Sequence, residues 1–306
     1  MIKSFKASLK TMSFSLIAQK LKLRDLLAQY SAAITVGAIS FVISATIARW
    51  IGPEAFGVYA TALSVGAVLG ILLDFGFKQV IQREAARPSL VYSYRQLQGV
   101  AIINILIVAV LVLICCAIFF ETQLFLASCL TVCFAGVTLT QLISAGLRGR
   151  KQFVQDAVHQ VASRFISAVF IIVTLVLSPN VAIILLAWGA GLMAWAMYAF
   201  SNFSKPLPGP LSAEIYKNVW PLFVIDLLIV LHFRVDLIFM QYFGVSQSFI
   251  GNFSAALRVI ELFIFLTFPL RSILLTQIRQ EDGKDASTFL VIRCAIAGAV
   301  GLLPAL

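Results

Sequence analysis

From about residue 30 onward the chain is a succession of apolar stretches, each roughly 18 to 25 residues long and separated from the next by only a few polar residues. Stretches of that length can cross about 30 Å of hydrocarbon as helices, and inside a bilayer only helices and closed barrels satisfy every backbone N–H and C=O. Spanning helices are expected at 30–48, 56–77, 97–120, 124–147, 153–177, 181–203, 219–243 and 249–277, with a ninth starting near 288. Composition agrees, since 61% of residues are hydrophobic and only 12% charged, against about 25% charged in soluble domains. The sequence therefore predicts an all-α polytopic membrane protein with about nine transmembrane helices.

Charge placement sets the expected orientation. The net charge is +10, and the basic residues fall in alternate linkers: Lys78, Arg83, Arg87 and Arg95 in the second, Arg148, Arg150 and Lys151 in the fourth, Lys205 and Lys217 in the sixth, Arg279 and Lys284 in the eighth. The other linkers hold only Arg49. Because translocation penalises positive charge in short loops, the N-terminus is expected in the cytoplasm. The same alternation excludes a nucleic-acid partner, since no basic domain is gathered to grip a duplex. The leader, residues 1–25, carries Lys3, Lys6, Lys10, Lys20, Lys22 and Arg24 too early for a cleavable signal. Ile2, Phe5, Leu9, Met12 and Leu16 recur at helical spacing, which suits a helix lying on an anionic leaflet beside membrane lipids. A disordered basic leader fits the same residues.

Two helices carry the chemistry. The fifth holds Gln152, Gln155, Asp156, His159, Gln160, Ser163, Arg164 and Ser167 at spacings of three and four, a polar stripe that cannot face lipid. The seventh contains HFRVDLIFM, His232 to Met240, inside an otherwise apolar run. A charge at mid-membrane costs about 2.5 to 3.5 kcal/mol on insertion scales, so Arg234 and Asp236 should face protein or a water-filled cavity. His232 and Asp236 share a helix face, as do Arg258 and Glu261, whereas Arg234 and Asp236 do not.

No catalytic constellation, phosphate-cradling glycine loop or ATP-binding motif is present, and no cofactor or metal is expected. Cys115, Cys116, Cys129, Cys133 and Cys294 all fall in expected spans and read as small apolar residues. An internal repeat does stand out. FGVYATAL, from Phe56 to Leu63, returns 194 residues later as IGNFSAAL, from Ile250 to Leu257. Each copy opens an even-numbered helix, so the halves would be parallel repeats about an axis along the membrane normal, as in many secondary transporters. Residues 26–207 then form a six-helix lobe and 208–306 part of a second.

The segment ATIARWIGPEAFGVYATALSVGAVLGILLDFGFKQVIQRE resembles the first two helices of bacterial polysaccharide flippases, which carry O-antigen and exopolysaccharide precursors. ISAGLRGRKQF resembles that family's link between helices four and five, and FRVDLIFMQYFGVSQSFIGNFSAALRVIEL its seventh and eighth helices. The resemblance implies the multidrug/oligosaccharidyl-lipid/polysaccharide (MOP) exporter superfamily, with two six-helix lobes facing a central cavity. It further implies transport of undecaprenyl-pyrophosphate-linked oligosaccharide across the bacterial cytoplasmic (inner) membrane, alongside other polysaccharide assembly proteins. Against that plan the repeat length leaves about one hundred residues of the second lobe missing, so a C-terminally truncated chain is expected.

Under this reading Arg164, Arg234 and Arg258 are candidate phosphate ligands, with Asp236 for sugar hydroxyls or charge pairing. Asp226, His232, Asp236 and Glu261 are the groups able to exchange protons for coupling. Interhelical salt bridging is the competing role for all of them. Asp74 is expected to pack or cap, and Gly52, Pro53 and Gly57 to form a tight outer turn. Two other functions compete with the flippase: an exporter of small drugs or metabolites, and a membrane glycan polymerase or ligase. The latter needs a large outward loop with reactive residues, and the outer linkers are only a few residues long.

Overall fold

The computed structural model describes residues 23–88, 91–119 and 123–265, with side chains from Arg24, omitting Leu26, to Leu257. Among them there is no strand. The first element, α1 (Leu23–Asp74), is 52 residues long, about 78 Å if straight and far more than one bilayer crossing. It is two passes joined at Gly52, whose φ of +80° and ψ of 169° reverse the chain just before Pro53. Ser40 and Leu63 line one cavity, so the two limbs run side by side.

A second sharp turn follows. Phe75 (φ +48°) and Gly76 (φ +83°) are both left-handed, a conformation uncommon for an aromatic residue. They lead into α2 (Phe77–Ala86), a ten-residue amphipathic helix where the sequence suggested only a basic linker. Its Phe77, Val80 and Ile81 are buried. Asp74 Oδ1 accepts the Lys78 backbone N–H at 3.1 Å, the capping role expected of it.

The remaining helices are α3 (Tyr94–Phe119), α4 (Leu124–Gly149), α5 (Phe153–Leu177), α6 (Val181–Ala199), α7 (Ala213–Tyr242) and α8 (Gln247–Phe265). A π-turn, Phe200–Ser204, follows α6. Helix α7 starts six residues before its apolar run because Ser212 Oγ accepts the Glu214 N–H and caps it. The expected ninth helix lies outside the described residues. Among the described residues five elements, with the kinked α1 counted once, are long and apolar enough to cross a membrane; α7, carrying Asp226, Arg234 and Asp236, is not one of them.

Helix α4 is the centre of the packing, buried on most sides against α6, α2, α1 and α3. It meets α6 backbone to backbone: a Cβ on Gly189 would stand 2.7 Å from Cys133 Cα, and one on Gly136 would stand 3.0 Å from Gly189 O. Small residues at such crossings are how helices associate in lipid, where apolar side chains gain nothing by leaving the bilayer. The large exposed apolar residues of α3, Leu106, Val110, Leu111 and Ile118, form its lipid face.

Helices α7 and α8 pack chiefly on α1. At the Gly52 end, a Cβ on Gly57 would collide with Gln247 O, and one on Gly251 would collide with Pro53 O. Gly57 and Gly251 occupy equivalent positions of the repeat, as do Pro53 and Gln247. The contact is thus reciprocal, each glycine meeting the carbonyl four residues before the other, as a two-fold relation between the copies requires.

Candidate functional site

Most of the polar stripe of α5 turns inward, with Gln152, Gln160 and Arg164 half-buried, but Gln155, expected to be part of it, is exposed. Asp156, His159, Ser163 and Ser167 are buried. Nearest the start of the helix, Asp156 Oδ2 accepts hydrogen bonds from Gln29 Nε2 (3.0 Å) and Gln160 Nε2 (2.8 Å), with Arg148 Nε at 3.5 Å. Gln29 also donates to Phe153 O at 2.7 Å, tying the first limb of α1 to the start of α5. One turn on, His159 sits between Thr140 O, 3.0 Å from Nε2, and the Trp195 indole N–H, 2.9 Å from Nδ1. A carbonyl only accepts and an indole only donates, so the ring is held neutral with its proton on Nε2.

Further along α5, Arg164 opens into a cavity of about 110 Å³ lined by Ser40, Ser44, Tyr59, Leu63, Ser167 and Trp188. Its guanidinium carbon lies 5.6 Å from the Trp188 ring centroid, a cation–π contact that orients the planar fork. Drug-sized ligands occupy about 300 to 1,000 Å³. The cavity therefore has room for a small polar group and a few waters, and not for a drug-sized ligand.

The residues grouped on the seventh helix separate. Asp226 is at the basic end of α7, where Oδ1 accepts from Gln79 Nε2 at 2.7 Å and Oδ2 lies 3.1 Å from Lys78 Nζ. Lys78 also faces Asp74 Oδ2 at 3.5 Å. Neither Oδ2 is aligned for hydrogen bonding, so both contacts are charge to charge. Burial, the largest single influence, would lower the Lys78 pKa, but the two carboxylates together hold it above the usual lysine value. Lys78 is a fixed cation. His232 and Asp236 are exposed one and a half to three turns away on α7, with the His232 ring 5.3 Å from that of Phe233, and Arg234 is half-buried. The side chains of Arg258 and Glu261 lie outside the described residues. Of the turn residues, Gly52 carries the positive φ in open space, Pro53 follows it, and Gly57 sits a turn further on where α8 approaches.

Sequence reasoning did not assign roles to Lys78, Gln79, Gln29 or Trp195. Gln29 and Trp195 bond partners more than thirty residues away, and Gln79 one 147 residues away, so no local spacing marks them. Among the described residues no group of three His, Cys, Asp or Glu could hold a metal ion.

The helical arrangement is that of membrane transporters of the MOP superfamily. A MATE crystallised in complex with MaL6 is 16% identical with a TM-score of 0.68, the match covering 91% of this chain and 70% of that one. A MOP superfamily transporter from Pyrococcus furiosus, described as having a binding pocket of reversed polarity, is 16% identical with a TM-score of 0.64 over the same shares. The MATE multidrug transporter DinF-BH gives 16% and 0.64, covering 86% of this chain and 66% of that one. No curated protein sequence matches. Residues 23–272 match the model of the polysaccharide biosynthesis protein family, and the chain belongs to that family.

Proposed function

We propose that the chain flips an undecaprenyl-pyrophosphate-linked oligosaccharide from the inner to the outer leaflet of a bacterial cytoplasmic membrane. Residues 26–207 form one lobe and 208–306 belong to the second. The observation that carries this reading is Arg164, a guanidinium held over Trp188 in a cavity whose lining also carries the hydroxyls of Ser40, Ser44, Ser167 and Tyr59. Arginine's fork matches phosphate oxygens, and it remains charged where a lysine could lose its proton. Hydroxyls then complete the shell around the bridging and sugar oxygens. The family match supports the polysaccharide cargo over a drug.

In this reading the basic end, with Lys78, Arg83, Arg148 and Arg150, faces the cytoplasm, and the N-terminus lies on the same side. Arg234 and Arg258 from the second lobe would complete the anion's charge neutralisation as the lobes approach. His232, Asp236 and Glu261 would exchange the coupling ion, while Asp226 is already engaged with Lys78.

The test is transport of a fluorescent lipid-linked oligosaccharide by the protein in vesicles. Arg164→Ala should abolish it, and Arg164→Lys should restore only a small part because the stacked bidentate geometry is lost. Full transport by Arg164→Ala, or equal transport of a cationic drug that competes with the lipid, would turn the reading toward a small-molecule exporter.

A further inference from the structure

The second limb of α1 and the turn that follows it touch the C-terminal helices near both ends of the limb. Gly57 meets α8 at the Gly52 end, and Phe75–Gln79 meets α7 at the basic end. Nineteen residues separate Gly57 from Gly76, about 28 Å at 1.5 Å per residue, nearly the full thickness of the hydrocarbon. The two helix groups are therefore held together near both ends of this span.

The two closures are chemically unlike. At the Gly52 end it is bare backbone against backbone. At the basic end three features converge. Phe75, in its left-handed conformation, stacks on Phe223 with ring centroids 4.5 Å apart, and Tyr216 and Trp220 pack around it at 5.8 and 6.0 Å. Gly76 lets the turn lie on the α7 backbone, since a Cβ there would be 2.8 Å from both Phe223 N and Val219 O. Just beyond, Asp226 takes the Lys78 charge and the Gln79 amide. A left-handed aromatic is strained and persists only while its surroundings hold it, a pattern typical of switch segments.

We propose that the turn Phe75–Gln79 is a releasable latch that closes the cytoplasmic mouth of the carrier, with the Lys78–Asp226 pair as its bolt. This rests on the two-lobe carrier reading given above. Lys78 has a second carboxylate, Asp74, on its own side of the cleft. When α7 withdraws, the ammonium keeps a counter-charge, so the pair can part without stranding a buried lysine, whereas a pair lacking such a standby would be costly to break. Release also frees Phe75 from Phe223 and lets the turn relax. Asp226 is thus assigned to gating, distinct from the ion-coupling role its position in the sequence suggested.

The experiment uses the whole chain in inside-out vesicles with Val219→Cys as reporter. Val219 is fully buried beneath Gly76, and the substitution removes little volume. Cys115, Cys116, Cys129 and Cys294 are replaced by serine, and buried Cys133 is retained as a control. A membrane-impermeant maleimide is applied and both sites are read by mass spectrometry. Asp226→Asn should raise labelling of position 219 about tenfold, the effect expected for losing one partly buried charge pair. Asp226→Glu, which keeps the charge, should stay near the wild-type rate. Unchanged labelling in Asp226→Asn, equally fast labelling in Asp226→Glu, or an equal rise at Cys133 would each overturn the latch. The last would show that the pair holds the fold together instead of one mouth. No cargo enters the assay, so failure of the flippase reading leaves its result intact, and the reverse also holds.

Discussion

Trp195 donates its indole N–H to Nδ1 of His159 at 2.9 Å, and the opposite ring nitrogen faces Thr140 O at 3.0 Å. One ring therefore joins α4, α5 and α6 deep in the helical bundle. Trp195→Phe leaves Nδ1 buried without a donor, which should cost about 1 to 3 kcal/mol. The expected readout is a lower melting temperature in detergent. His159→Gln, whose amide can present one donor and one acceptor, should be milder than His159→Leu, and equal losses would show that ring packing, not hydrogen bonding, matters there.

Gly52 and Gly57 should respond differently to alanine. At Gly52 nothing lies within 4 Å of the added methyl, so the cost is that of the backbone alone, whose φ of +80° and ψ of 169° fall in a region essentially reserved for glycine, of order 1 to 3 kcal/mol. At Gly57 the methyl meets the Gln247 carbonyl, a rigid backbone atom, and α8 must move away. Gly57→Ala and Gly251→Ala should both increase the reactivity of a cysteine placed at Ser254, while Gly52→Ala should not. Equal effects from all three would argue against the reciprocal contact as the point where the two repeats are held together.

Topology gives a test that involves no chemistry of transport. A reporter fused after Arg150 or Lys205 should be active in the form that signals cytoplasm, and one fused after Pro179 in the form that signals the far side. The opposite pattern would invert every assignment of inner and outer faces made under the proposed function.

His232 and Asp236 lie one turn apart on α7, and both are exposed. If they carry the coupling proton, Asp236→Asn keeps size but removes titration, and transport in vesicles should lose its response to an imposed pH gradient. A mutant stimulated by the gradient as strongly as the wild type would exclude Asp236 from coupling.

Much of the architecture was legible because the bilayer imposes length and polarity limits on every segment. The bounds of α5 follow directly from its apolar period, and its inward stripe from the polar residues at three- and four-residue spacing. Helix α2 was missed because Lys78, Arg83 and Arg87 read as a linker, although Phe77, Val80, Ile81 and Glu84 repeat at helical spacing. The intramembrane charges announced themselves by their cost, but their partners did not. Asp226 could be seen to need a cation, yet nothing local selects Lys78, which reaches it only after the chain has turned at Phe75 and Gly76. For Gly57 the signal was present in the repeat: a glycine recurring in register with Gly251 marks a place where both copies tolerate no side chain, which a turn alone would not demand of the second copy.

The close approach of Gly136 and Gly189 has a mechanical consequence. With backbones touching, α4 and α6 cannot slide without separating. The second limb of α1 is keyed into the same block, since a Cβ on Gly66 or on Gly70 would press on the Phe134 ring of α4. These three helices therefore form one stiff body, and a displacement of α7 and α8 leaves its interior unchanged. Parting the 3.1 Å Lys78–Asp226 contact then asks for movement of α7 across a fixed edge, with no repacking behind it.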